Sequence, residues 1–264
     1  MRRTRIRAQA VAVVAAVETT FPRDSASQVS RATLGLRDML LRGLLRPGQR
    51  IAEIPLSAKL GVSRTPLRLA FERLEHEGLI RPLPHSGFTA SEFSISDIWD
   101  ALETRGILEG AAARLAAERL KDSSQLESMR ATNSEMEKIS PINIESFTHY
   151  LDLNEAFHLC ILELSGNEAL RRALDHVCKV PFVAPSSRVL LPKTMPGSKE
   201  IFPIAHEHHR ALIEAIERRE GARAESLGRE HARLTRRNLE EALADHAFLE
   251  TVPGARLIKL HSVN

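Results

Sequence analysis

Residues 61–82 read GVSRTPLRLAFERLEHEGLIRP, and this stretch decides the fold of the N-terminal part of the chain. A glycine turn leads into a helical pattern whose first turn carries Ser63, Arg64 and Thr65, with Arg68 one turn on. The dipole of a helix favours cations at its C-terminal end, so a cationic first turn indicates an anionic partner at that position.

The elements around this helix complete a winged helix-turn-helix. Apolar residues at helical spacing predict a first helix over residues 29–43, and Pro55 opens a short second helix that ends at Leu60. After the glycine that ends the third helix, the stretch LIRPLPHSGFTASEF predicts two short strands around a turn at residues 85–87. Three helices followed by a β-hairpin are the order of a winged helix-turn-helix over residues 29–91.

In this motif the second helix of the helix-turn-helix enters the major groove with its N-terminal end first. The planar fork of Arg64 suits guanine O6 and N7, whereas Thr65 and Arg68 suit phosphates. The wing would lie along the minor groove, where a glycine allows close approach of the backbone. The residues expected to bind double-stranded DNA are Ser63, Arg64, Thr65, Arg68, His85 and Gly87.

Composition and charge describe a mostly helical protein of two domains. The 264 residues are 43% hydrophobic and 27% charged, which excludes a disordered chain, and only 4% are aromatic. Residues 1–92 carry 15 lysines and arginines against 8 acidic residues, a net charge of +7, whereas the remainder carries 22 against 26, a net charge of −4. A basic first part joined to an acidic second part predicts a polyanion-binding domain followed by a different one.

The N-terminal residues 1–28 are expected to form a disordered basic arm. The apolar run from Ala10 to Val17 resembles the core of a secretory signal, but it is near the lower length limit and Glu18 ends it. No later segment is long enough to span a bilayer. We therefore expect a cytoplasmic protein without a membrane partner.

Residues 96–248 are expected to form an all-helical antiparallel bundle, followed by a poorly ordered tail over residues 249–264. Ser96 is predicted to cap the first helix of the bundle, and the stretch 181–203, rich in Pro, Ser and Gly, is predicted to be a long connection. The predicted helices cover residues 97–120, 123–138, 145–164, 168–179, 203–218 and 221–246.

Five polar residues fall in the middle of apolar faces of these helices. At 100° per residue, Asn154 and His158 lie one turn apart on an apolar stripe. Each would cost about 1–3 kcal/mol if it were buried without a partner, so the five should contact one another, a metal or a ligand. The sequence predicts an effector site at Arg105, Asn154, His158, His209 and His231.

Alternatives exist for the histidines and for Arg105. A single histidine on an apolar face is more often a packed core residue, whereas three on facing stripes point to a shared site. Arg105 suits a carboxylate through a bidentate pair, and an internal ion pair with Glu109 is the alternative.

Three stretches resemble the GntR family of bacterial transcription regulators. LRDMLLRGLLRPGQRIAEIPLSAKLGVSRTPLRLAFERLEHEGLI, residues 36–80, resembles the N-terminal domain of that family. LETRGILEGAAARLAAERL (102–120) and NEAFHLCILELSGN (154–167) resemble its FadR-type branch, which carries a helical FCD effector domain. Shorter pieces such as IAEIP, NEAFH and SGNEAL are most similar to the VanR-like, vanillate-responsive regulators.

The resemblance implies a divalent metal, bound by an aspartate and three histidines, whose shell a carboxylate effector completes. His158, His209 and His231 match the histidine positions, and Asn154 stands where the family has aspartate. An asparagine offers a neutral oxygen, so the site loses one negative charge. Two outcomes stay open: zinc or nickel binds there, or the imidazoles, Asn154 and Arg105 hold an acid without a metal.

The sequence thus predicts a homodimeric repressor that binds a palindromic operator and is released by a small organic acid, with the VanR likeness favouring an aromatic acid. A metal-dependent enzyme that uses the three histidines is the alternative, although no carboxylate is well placed beside them as a general base. In an architectural DNA binder without an effector, the stripe that carries His209 would merely be packed.

Overall fold

A computed structural model describes residues 25–84, 87–139, 144–185, 198–244, 252 and 254–259. The arm up to residue 24 and the predicted wing residue His85 lie outside the described residues. Of the helices in the described part, none is both long and apolar enough to cross a bilayer.

The N-terminal domain has the predicted order of three helices and a hairpin. Leu36, Leu67 and Phe71 are buried in one core that holds the helices together. Gly61 turns the chain between the second and third helices with a φ of 60°, a left-handed conformation that favours glycine. The elements are α1 (Ser25–Leu41), α2 (Glu53–Leu60), α3 (Arg64–His76) and the antiparallel strands β1 (Ile80–Pro82) and β2 (Phe88–Ala90).

The second domain is a bundle of helices with one continuous hydrophobic core. Its longest helix, α4, packs along the last one, α9. The elements are β3 (Phe93–Ser94), α4 (Ile95–Arg119), a 3₁₀ turn (Ser123–Leu126), α5 (Glu127–Lys138), α6 (Ile144–Ser165), α7 (Glu168–Val177), α8 (Ser198–Glu217) and α9 (Gly221–Ala244).

Several helix ends differ from those predicted. Ser94, and not Ser96, caps α4: its hydroxyl accepts a hydrogen bond of 3.1 Å from the Asp97 N–H, and the Asp97 carboxylate accepts one of 2.8 Å from the Ser94 N–H. The acidic residue three positions after Ser94 selects it as the cap, which is the capping-box rule. Helix α1 begins at Ser25, before the predicted residue 29. The residues before Val29 carry no apolar periodicity, so the sequence pattern could not reveal this additional turn.

The connection before α8 is shorter than the predicted segment 181–203, because α8 begins at Ser198 and contains Pro203. The sequence predicts the start of this helix at the proline. A proline in the second turn removes one intrahelical hydrogen bond, and the packed apolar residues that follow it maintain the helix.

The prediction of a poorly ordered tail over residues 249–264 is wrong for its described part. A 3₁₀ turn (Ala255–Leu257) is followed by a strand, β4 (Ile258–Lys259), which pairs in parallel with β3. Leu257 is fully buried in the core of the N-terminal domain. This segment is too short for periodicity to reveal it, and tertiary packing orders it.

Candidate functional site

The predicted DNA-binding residues of α3 lie on its exposed face. Ser63, Arg64, Thr65 and Arg68 are all exposed, and the side chain of Arg68 is 65% exposed although its Nε lies 3.1 Å from Glu53 Oε2. Ser63 occupies the N-cap position, but its hydroxyl makes no capping hydrogen bond. The N-terminal end of α3 therefore presents Arg64, Arg68 and backbone N–H groups that no side chain caps, which is the arrangement that binds phosphate at a helix N-terminus.

Gly87 follows the tip of the wing with a φ of 92°, which explains why a glycine stands there. A Cβ atom on Gly87 would lie 3.1 Å from Arg50 Nε. Arg50 is exposed and brings a cation to the wing. Our sequence reasoning did not single out Arg50, because only the fold brings it next to a hairpin 37 residues later in the chain.

The three predicted histidines come together in the core of the second domain. His158 on α6, His209 on α8 and His231 on α9 are buried, and each offers a ring nitrogen such that the three nitrogens lie within 4.8 Å of one another. The ring centroids of His209 and His231 are 4.6 Å apart. Three helices thus contribute one imidazole each to one small volume.

Close polar contacts orient two of these rings. Nδ1 of His158 lies 3.4 Å from Glu109 Oε1, and Nδ1 of His209 lies 3.2 Å from Asn133 Oδ1. Nε2 of His209 faces Nε2 of His231 at 3.2 Å. The buried atoms Nε2 of His158 and Nδ1 of His231 find no hydrogen-bond partner among the described residues. Since an unpartnered buried group costs about 1–3 kcal/mol, these two nitrogens are candidates for contact with a ligand or a metal ion.

Burial keeps His209 and His231 neutral. The pKa values of His209 and His231 are lowered well below the ordinary histidine value, first by burial and then by the neighbouring histidines. A neutral imidazole keeps a free lone pair, which is the form that binds a metal ion.

All three guanidinium nitrogens of Arg105 donate hydrogen bonds to protein atoms. Its Nε and Nη2 donate to the two carboxylate oxygens of Glu109, at 2.8 and 3.3 Å. Its Nη1 donates to the Val183 carbonyl at 2.8 Å and to Thr235 Oγ1 at 3.0 Å. Of the two interpretations that the sequence left open, the structure contains the internal ion pair with Glu109.

Glu109 stays ionised in this site. Burial alone would raise the pKa of its carboxyl group, but the Arg105 guanidinium and His158 together lower that pKa far below its ordinary value. The same carboxylate thus contacts both the arginine and one histidine of the cluster, and it joins the two predicted groups into one network.

Two cavities are lined by members of this network, and His231, Ala184 and Pro185 line both. One, of about 110 Å³, is lined mainly by apolar side chains together with Glu109, His158 and His231. The other, of about 70 Å³, is lined by Arg105, Asn154 and aromatic side chains. The half-buried Asn154 donates through Nδ2 to the Pro185 carbonyl at 3.2 Å, so it faces the second cavity with its amide already bound to the backbone.

The sequence reasoning missed Asn133, which orients His209. Its side chain is 5% exposed and also donates to Glu137 Oε1 at 2.7 Å. A signal was available, because Asn133 lies between the buried Met129 and Met136 on the apolar stripe of α5. It is a polar residue on an apolar helix face, as are the five residues of the predicted effector site.

A winged helix-turn-helix followed by a helical bundle with a buried polar pocket defines a two-domain transcription regulator. The chain belongs to the gntR family of bacterial regulatory proteins, whose sequence profile matches residues 28–89, and it carries an FCD domain, whose profile matches residues 100–234. The expected family and branch are thereby confirmed.

Individual relatives are named as regulators. The chain is 38% identical over 132 residues to the Nta operon transcriptional regulator of Aminobacter aminovorans, a match that spans 50% of this chain and 61% of that relative. It is 27% identical to the regulator LutR of Bacillus subtilis, over 81% of this chain and all of LutR. These names give no support to the enzyme alternative, and they leave the narrower VanR likeness unconfirmed.

A solved structure of Lar, a protein that controls expression of the Listeria monocytogenes agr system, superposes with a TM-score of 0.57. The match covers 84% of this chain and 99% of that one at 22% identity, so it concerns the fold alone.

Proposed function

We propose that this chain is a homodimeric transcriptional repressor that binds a palindromic operator and leaves it when a small organic acid binds in the FCD domain. The observation that carries the proposal is the exposed, cationic and uncapped first turn of α3. Cations at the positive end of a helix dipole are unfavourable within an isolated domain, and DNA phosphates would supply the compensating negative charge.

Each residue of this surface has a distinct role in the proposal. Arg64 reads a guanine through its two parallel N–H groups, and Thr65 and Arg68 hold phosphates that fix the register. Arg50 and Gly87 bring the wing to the neighbouring groove. In a dimer the two α3 helices meet half-sites about one helical turn apart, which is why the operator is expected to be palindromic.

The effector is proposed to bind in the cavity that Arg105 and Asn154 line. Because Glu109 occupies the guanidinium, the carboxylate of an acid has to exchange with Glu109 at Arg105 or bind beside it through the histidines. Aromatic side chains line the same cavity and suit an aromatic acid, as the VanR likeness favours. They are Phe147, Tyr150 and Phe202.

A divalent metal such as zinc or nickel fits the three histidines. Two buried ring nitrogens without partners among the described residues, the neutral imidazoles of His209 and His231, and polar contacts that fix two of the rings suit a metal site. His158, His209 and His231 would hold the ion, with Asn154 as the expected fourth ligand through its amide oxygen. The bound ion would supply the positive charge that attracts a carboxylate.

A genomic footprint with purified wild-type protein tests the proposal. We expect protection of a short palindrome, loss of protection with Arg64→Ala, and no change with Arg223→Ala, which removes an exposed arginine on α9. Absence of any specific site would overturn the repressor hypothesis. A thermal-shift screen of metals and organic acids on the same protein then identifies the ligand, because a ligand that binds the folded state raises Tm.

A further inference from the structure

The C-terminal residues contact both hydrophobic cores of the protein. We call Val252 together with Gly254–Lys259 the C-terminal strap. Its Leu257 is fully buried in the core of the winged domain, whereas its Val252 and Ile258 are buried in the core of the helical domain. One short segment is therefore packed into two domains at once.

Backbone contacts attach the strap to the winged domain and to the junction between the domains. The Gly254 N–H donates to the Leu41 carbonyl at the end of α1, at 2.7 Å. The strand β4 pairs with β3, which connects the wing to α4. The side chain of Arg256 lies directly over Gly43, where a Cβ atom would clash.

The other side of the strap contacts the segment that binds Arg105. A Cβ atom on Gly254 would lie 3.4 Å from the ring of Phe182 and 3.2 Å from Leu41, so these two residues enclose the glycine. Phe182 is buried and has a φ of 71°, a conformation that costs energy for a residue with a side chain. The next residue, Val183, accepts the hydrogen bond from Arg105 Nη1.

We propose that the C-terminal strap transmits changes at Arg105 to the winged domain, through the contact of Phe182 and Val183 with Gly254. The inference rests on the proposed function, because it names the route by which that effector site acts on the DNA-binding domain. When Arg105 changes its partners, Val183 and Phe182 shift, and the strained backbone at Phe182 offers a second arrangement for this segment. Gly254 and the β3–β4 pair then shift with it, and this displaces the two domains relative to each other.

Hydrogen–deuterium exchange on the full chain tests the strap without DNA or an effector. Gly254→Val places a side chain between Leu41 and Phe182, and we expect amide exchange to become about ten-fold faster or more at β3 and at residues 180–185. Gly48→Val is the matched control: Gly48 also has a positive φ, of 76°, but nothing lies within 4 Å of its Cβ position. It should change exchange only in its own turn.

A substitution at Arg105 tests whether a change at the effector site reaches the C-terminal strap. Arg105→Lys keeps the charge but loses the fork that binds Glu109 and Val183, and we expect faster exchange at residues 180–185, in the strap and at β3. Faster exchange at 180–185 with the strap and β3 unchanged would overturn the proposal.

If Gly254→Val fails to fold, as judged by circular dichroism, Leu257→Ala replaces it with the same expected result, since it removes the anchor in the winged domain. A failed operator footprint would refute the repressor function, whereas the exchange pattern refutes or supports the strap alone.

Discussion

Arg105 donates a hydrogen bond of 2.8 Å to Glu109 one turn further along the same helix, in a place where the arginine is only 1% exposed. Two opposite charges are thus buried together at the centre of the proposed effector site. A buried pair of this kind contributes little compared with an apolar pair, but the loss of one partner leaves the other as an uncompensated buried charge. That asymmetry makes Glu109 a sensitive position.

Glu109→Gln keeps the shape of the side chain and removes its charge. We expect the free energy of unfolding to fall by about 3–5 kcal/mol, because the Arg105 guanidinium stays buried without a counter-charge. Urea denaturation measures the change. Glu118→Gln is the control: it breaks an exposed pair with Arg114 on the same helix and should leave stability almost unchanged. Equal effects of the two substitutions would contradict the role of burial.

Asn133 orients His209, and its replacement tests the histidine site at a residue that is not itself a ligand. Asn133→Ala is expected to lower the affinity for zinc by about 10–100-fold, since His209 loses the hydrogen bond that fixes its ring. Competition with a chromophoric chelator measures the affinity. The exposed neighbour Ser134 provides the control, and Ser134→Ala should bind zinc like the wild type. Unchanged affinity in both variants would show that the 3.2 Å contact does not support a metal site.

Arg64 and Arg68 of α3 should differ in the kind of DNA-binding loss that their replacement causes. Arg64→Ala is expected to cost about 1–3 kcal/mol for the operator and to relax the preference at one base pair. Arg68→Ala should weaken operator and random DNA alike and reduce the salt slope of binding by about 1. Titrations at several salt concentrations, on both DNAs, separate the effects. If Arg68 showed the base preference, the assignment of roles would have to be reversed.

Much of the fold could be predicted from periodicity, but the ends of elements could not. The stripe of α3 predicted its buried and exposed faces, because a 3.6-residue period follows directly from helix geometry. Ser94 and Ser96 are both good cap residues, and only the position of Asp97 decides between them. The strap has no period at all, and Leu257 is ordered by cores that are distant in sequence.

Periodicity had the same strength and the same limit at the candidate site. Periodicity identified His158, His209 and His231 as inward-facing, and the structure brings them together. It could not show that Arg105 pairs with Glu109 instead of presenting free N–H groups, since both interpretations place the arginine on the same face. Which neighbours a buried group contacts depends on how the helices cross. The periodicity of a single helix carries no information about that crossing.

Acid should destabilise the metal-free protein through its buried histidines. The pKa values of His209 and His231 are lowered in the folded state, so below about pH 6.5 the unfolded chain takes up protons that the folded chain does not. The free energy of unfolding should therefore fall with falling pH, by about 1.4 kcal/mol per pH unit for each histidine. Glu109 does not contribute to this slope between pH 6.5 and 5, because its unfolded-state carboxyl group titrates lower.

Urea denaturation of chelator-treated protein between pH 6.5 and 5 measures this slope. His231→Gln should reduce it by the share of one histidine, while His149→Gln, at an exposed position, should leave it unchanged. A slope that is the same in His231→Gln and wild type would mean that His231 is protonated in the folded protein.

The close approach of α4 and α9 positions the whole network, and Gly110 makes it possible. A Cβ atom on Gly110 would lie 2.7 Å from the Glu225 carbonyl oxygen, which belongs to the backbone of α9 and cannot rotate away. Gly110→Ala should therefore cost about 1–3 kcal/mol as α9 is displaced from Glu109. Gly106→Ala is the matched control on the same helix, because its Cβ would meet Ala232 at an ordinary 3.4 Å and alanine favours a helix by up to about 1 kcal/mol. Urea denaturation should thus show opposite signs for the two variants, and a loss of stability in both would mean that the two helices pack more tightly at Gly106 than the contacts indicate.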